Sequence, residues 1–98
     1  MLTFLKSIIK IKKTFRKVEF VMDELFKILK SIKKDVDFTK EKNLVDEEIL
    51  TSLEMLELIS AIEEKFEIEI PAESIIPENF QSAETIFKLI TDAKEGKI

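Results

Sequence analysis

In the stretch ILTSLEMLELISAIEEKFEIEI, residues 49–70, the side chains able to do chemistry are few and closely placed. Thr51, Ser52, Leu53 and Glu54 fit the capping box, in which a hydroxyl and a carboxylate three residues apart satisfy free N–H groups at a helix start. In that arrangement Thr51 is the N-cap. Its hydroxyl accepts from an N–H near Glu54, and Glu54 reaches back to the N–H of Thr51. Ser52 falls at the first helical position, with its side chain outside both bonds. An exposed hydroxyl there lies at the positive end of the helix dipole, beside N–H groups without intrahelical partners, and this favours a phosphate ester. Serine in the first turn of a helix is also an ordinary structural residue. The spacing alone therefore leaves open both a plain helix-start serine and a modification site.

Little else in the chain could do covalent chemistry. There is no Cys and no His among the 98 residues, which removes disulfides, thiolate metal sites and the commonest general base. Any nucleophile–base pair would have to be built from Lys and carboxylates, so an enzyme is a poor reading. One Gly and two Pro leave little material for a glycine-cradled phosphate loop or a β-rich fold. Without Tyr or Trp, base stacking would rest on Phe alone, and no nucleic-acid partner is expected. The charge is segregated. Residues 1–21 carry six basic side chains against Glu19, whereas residues 43–80 carry eleven carboxylates against Lys65 alone. The acidic block suits a cationic partner surface and repels nucleic acid, with a merely solvated face as the plain alternative.

The elements that must position Ser52 follow from periodicity. Residues 1–20 place Phe4, Ile8, Ile11, Phe15 and Val18 at helical steps, with lysines on the other face. This segment is too short and too charged to span a bilayer, and it lacks a signal-peptide core and cleavage site, so a cytoplasmic location is expected. Met22 to Asp35 carries Leu25, Ile28, Leu29 and Ile32 at helical spacing. The segment DVDFTKEKNLVDEE reads as a long loop, with Val36, Phe38, Leu44 and Val45 filling gaps beneath it. In the next helix Leu53, Leu56, Ile59, Ile62 and Phe66 are expected to form one buried face, widened by Met55 and Leu58. Pro71 and Pro77 forbid a long helix after that, leaving a short turn around Ala72 to Ile76. Ser82 caps a last helix, with Thr85 where a capping box would place Glu or Gln. Ala83, Ile86, Phe87 and Ile90 form its buried face, and Gly96 stands past its end. The expected fold is all-α: a small antiparallel four-helix bundle of three main helices plus a short third helix.

The run ILTSLEMLELISAIEEKFEIEIP resembles the central helix of the acyl carrier proteins and of the related peptidyl and D-alanyl carrier domains. Ser52 and Leu53 match the family's serine and leucine, and Glu57 and Leu58 its "E-L". Glu63, Glu64 and Phe66 match the acidic run and phenylalanine; Ile68, Ile70 and Pro71 match the exit. The helix order, long first loop, short third helix and the segment ENFQSAETI also fit, so the resemblance covers about Met22 to Ala93. It implies that Ser52 receives 4′-phosphopantetheine from coenzyme A, added by a separate Mg²⁺-dependent phosphopantetheinyl transferase. The arm's thiol then carries an acyl or aminoacyl group as a thioester. Partner enzymes with basic docking surfaces would meet Glu54, Leu56, Glu57, Ser60 and Glu64, with Leu53 beside the arm and Ile75 from the short helix. A freestanding monomeric carrier without catalytic or metal-binding residues of its own is implied.

Two departures stand out. The family has Asp immediately before the serine, where this chain has Thr51; that Asp helps hold the metal in the transferase complex. Thr preserves the cap but offers no carboxylate, so the resemblance leaves as alternatives a slowly loaded carrier, one served by a dedicated transferase, and an unmodified bundle acting only through protein–protein contact. Glu67 stands where many relatives have Gly or Asp. Residues 1–21 lie outside the resemblance and are set apart from a bundle of residues 22–98. They read as a membrane-surface helix, as an added helix, or as translated sequence ahead of a true start at Met22. The third reading is preferred: Asp23 and Glu24 suit a helix start, and Lys17-Val18-Glu19 can be encoded by a purine-rich stretch resembling a ribosome-binding site.

Overall fold

A computed structural model describes residues 19–98. Residues 1–18, on which most of the basic segment's three readings fall, lie outside the described residues. Three α-helices form the frame: α1 through residues 19–32, α2 at Ser52–Phe66 and α3 at Ala83–Lys94, with no β-strand among the described residues. Helix α1 buries Val21, Leu25 and Leu29, one residue per turn, with Ile28 and Ile32 packed at the margin. It is already helical at residues 19–21, ahead of Met22, and Val21 is only 4% exposed. Two ion pairs join α1 and the residue that follows it to α2. Glu24 meets Lys65 at 3.3 Å and Lys33 meets Glu54 at 3.5 Å, so the two helices run antiparallel.

The buried face of α2 differs from the expected one. Leu58, Ile59, Ile62 and Phe66 enter the core and Met55 lies at its margin, but Leu53 and Leu56 are 66% and 63% exposed. At about 100° per residue, each step of three falls about 60° short of a full turn. The run 53–56–59–62 therefore winds about halfway round the helix, and only its second half can face inward.

The segment from residue 33 to Thr51 is long but anchored, with Phe38, Leu44 and Leu50 all buried. Helix α2 ends at Glu67, whose left-handed backbone (φ 53°) lets the N–H groups of Glu67 and Ile68 both reach the Glu63 carbonyl. A residue with a Cβ is strained there. The short third helix is two separate 3₁₀ turns, Ala72–Ser74 and Pro77–Asn79. Pro71 precedes the first and Pro77 opens the second, where a missing N–H costs nothing. The Asn79 side-chain amide joins them by donating to the Ser74 carbonyl at 2.8 Å.

Helix α3 starts on Ser82, which forms a reciprocal capping box with Thr85 despite the absence of Glu or Gln. Its buried residues are Ala83, Ile86, Leu89 and Ile90; Phe87, expected inside, is only half-buried, and Leu89 takes that place. At its end Gly96 (φ 71°) turns the chain, and the Lys97 N–H closes on the Asp92 carbonyl at 2.8 Å.

Candidate functional site

The start of α2 is built as its sequence dictates. Thr51 has extended backbone angles and caps the helix: its hydroxyl accepts from the Glu54 N–H at 3.2 Å, and its own N–H donates to the Glu54 carboxylate at 2.9 Å. The first helical backbone bond runs from the Met55 N–H to the Thr51 carbonyl. The N–H groups of Ser52 and Leu53 therefore precede the helical ladder. Ser52 is exposed at the first helical position, outside the capping box, at the positive end of a 15-residue helix.

Glu54, expected among the contact residues, is partly exposed and engaged by its neighbours. Its carboxylate is held below the usual range, chiefly by the Thr51 N–H; partial burial opposes this, and the Thr51 hydroxyl and Lys33 add to it. It stabilises the helix start. The remaining expected contact residues of α2 share a solvent face. Leu53, Leu56, Glu57, Ser60 and Glu64 are all exposed, at spacings of three, one, three and four that keep them along one side. Ile75 is 41% exposed between the two 3₁₀ turns, and Ile76, not singled out in the sequence, is 40% exposed beside it.

Glu63 matched the acidic run but plays a structural part. Its carboxylate accepts the Ile70 N–H at 3.0 Å and fastens the exit of α2. A cleft of about 860 Å³ lies at that end, lined by residues 66–73 together with Ala93, Lys94 and Ile98. It is the length of α2 away from Ser52, about 21 Å at 1.5 Å per residue, so it does not belong to the same site. Among the described residues no group of side chains has metal-ligand spacing, and no helix is long and apolar enough to cross a membrane. The arrangement around Ser52 can present a hydroxyl, stabilise negative charge on it, and offer an acidic and apolar exposed surface beside it.

Comparisons with known proteins bear on this arrangement. A family model described as "Phosphopantetheine attachment site" matches residues 23–90. A curated protein of Bradyrhizobium diazoefficiens, "Aminoacyl carrier protein 1", is 36% identical over 74 residues, covering 71% of this chain and 81% of that relative. No solved structure gives a significant match.

Proposed function

Since the chain belongs to the acyl carrier protein family, whose members bear covalent 4′-phosphopantetheine and are not themselves enzymes, we propose that Ser52 is its attachment residue and that it delivers thioester-linked acyl or aminoacyl groups. The observation that carries the assignment is the division of labour at the start of α2: Thr51 and Glu54 make the cap, and the Ser52 hydroxyl is left exposed. The residues fit the group. Ser52 would supply the ester oxygen, and the Ser52 and Leu53 N–H groups with the dipole of α2 would favour its negative charge. The bound arm supplies a terminal thiol that forms the thioester. In loading, the Ser52 oxygen would form the bond to the pantetheine-side phosphorus as the pyrophosphate bond breaks, with the nucleotide half of coenzyme A leaving and the hydroxyl proton passing to the transferase or solvent.

Carrier proteins meet phosphopantetheinyl transferases and acyl-handling enzymes in general. For this chain we assign the contacts to Leu53, Leu56, Glu57, Ser60, Glu64 and Ile75, with Glu54 holding the helix start in place. Apolar side chains flanked by carboxylates suit weak, fast-exchanging, salt-sensitive contacts with basic partners. The arm confines its cargo near each partner's active site and so raises its effective concentration. The relative's name favours an aminoacyl cargo over a long acyl chain, and a cytoplasmic monomer fits such a carrier.

The test is incubation with coenzyme A, Mg²⁺ and a promiscuous transferase, followed by intact-mass measurement. The expected result is one phosphopantetheine per chain, absent in Ser52→Ala. If several transferases leave the chain at its original mass, the carrier reading fails and an unmodified interaction module takes its place.

A further inference from the structure

The turn that delivers Ser52 is held by a residue distant in sequence. Gln81 lies immediately before the Ser82 cap of α3, and three successive backbone N–H groups converge on it. Leu44 donates to the Gln81 main-chain carbonyl at 2.9 Å. Val45 and Asp46 both donate to its side-chain oxygen, at 3.1 and 3.2 Å. In return the Gln81 amide donates to the Asp46 carboxylate at 2.8 Å. The turn also closes on itself: the Leu50 N–H donates to the Leu44 carbonyl at 3.0 Å, and Glu48 sits in the left-handed region at φ 54°. Leu44 and Leu50 are buried at the two ends, while Asp46, Glu47 and Glu48 between them are exposed. Thr51 and Ser52 follow directly.

We propose that Gln81 is a positioning residue for the loading of Ser52: it locks the 44–50 turn, and so fixes the acidic shoulder that a transferase must meet on reaching the hydroxyl. The inference rests on the reading of Ser52 as the attachment residue. Its physical content is preorganisation. A strained turn carrying exposed carboxylates would sample many arrangements if its N–H groups faced only water, and a partner would have to order it on binding. One glutamine offers what three consecutive N–H groups need, two acceptors on a short stem, and it is anchored by the buried start of α3. The order is thus present before the partner arrives. Ser52 belongs to α2 and keeps its own geometry, so the loss should fall on recognition rather than on the transfer step.

The experiment measures transferase loading of the full chain and of Gln81→Ala, with amide hydrogen exchange on both. Gln81→Ala should raise KM for the chain about tenfold with kcat nearly unchanged, and exchange should accelerate at residues 44–46 while α2 and α3 keep their protection. Gln81→Glu should be as poor, because its carboxylate faces Asp46. Ile86→Val, a core change of comparable stability cost that leaves the Gln81 bonds in place, should leave KM unaltered. Faster exchange at residues 44–46 with unaltered KM overturns the proposal, and so does a KM shift matched by Ile86→Val. A wild-type chain that takes no arm at all overturns the attachment reading itself, and this inference with it.

Discussion

At the scale of single residues, Thr51 decides most. It makes both bonds of the capping box that an Asp could make, so the helix start is sound. It brings no charge beside Ser52, and the family resemblance gives a carboxylate there a part in holding the transferase's metal. Thr51→Asp should therefore keep the stability within about 0.5 kcal/mol, because the two residues cap comparably. It should raise kcat/KM for loading by about tenfold, the scale of one charge-assisted contact. Thr51→Ala, by contrast, should cost about 1 kcal/mol in urea unfolding. If the Asp variant loads no faster than the native chain, the missing carboxylate is not what limits loading. The cap itself was legible in the spacing of Thr51 and Glu54, because capping involves neighbours in sequence. That Lys33 would join Glu54 was not legible, since nothing in either local segment specifies the other.

At the scale of elements, α2 carries two apolar sets with different work. Leu58, Ile59, Ile62 and Phe66 hold the bundle together, whereas Leu53 and Leu56 stand in solvent next to Ser52 and Glu57. Leu58→Ala should destabilise by about 2–5 kcal/mol. Leu53→Ala and Leu56→Ala should each cost less than about 0.5 kcal/mol while weakening loading by a transferase. Equal losses of stability at Leu56 and Leu58 in thermal or urea unfolding would show that both belong to the core. From sequence the two sets looked like one face, because steps of three are a helical signal without fixing the direction of drift. Helix α1 offers a second test. Val21 is buried ahead of Met22, so Val21→Ala should lower stability by about 1.5 kcal/mol, the loss of two buried methyl groups. An unchanged unfolding midpoint would separate residues 19–21 from the packed bundle.

At the scale of the whole molecule, four carboxylates are kept charged by their neighbours. Asp37 is lowered chiefly by the Thr39 hydroxyl, Glu54 by the Thr51 N–H and Glu84 by the Lys42 ammonium. For Glu24 partial burial pushes upward, but Lys65 and Lys27 outweigh it. All four bind a proton less readily folded than unfolded, where ordinary values are 3.8 for Asp and 4.5 for Glu. Their contribution is therefore complete above the unfolded values and is lost as pH falls through the lower folded ones. The melting temperature should be nearly level from about pH 6 to 8 and should fall below about pH 4.5. Removing one such carboxylate, as in Glu54→Gln, should make that fall shallower; an unchanged acid limb would show that these pairs contribute nothing. The sequence by itself determined the all-α class, the caps of α2 and α3, the proline-broken third segment and the candidate serine, because each is set by residues within a turn or two of one another. Tertiary structure alone decided which side of α2 faces inward, that residues 19–21 join the bundle, and that Gln81 reaches back some thirty-five positions to hold the turn before Ser52. Those outcomes depend on where distant segments come to rest against a shared core, and no local periodicity encodes that.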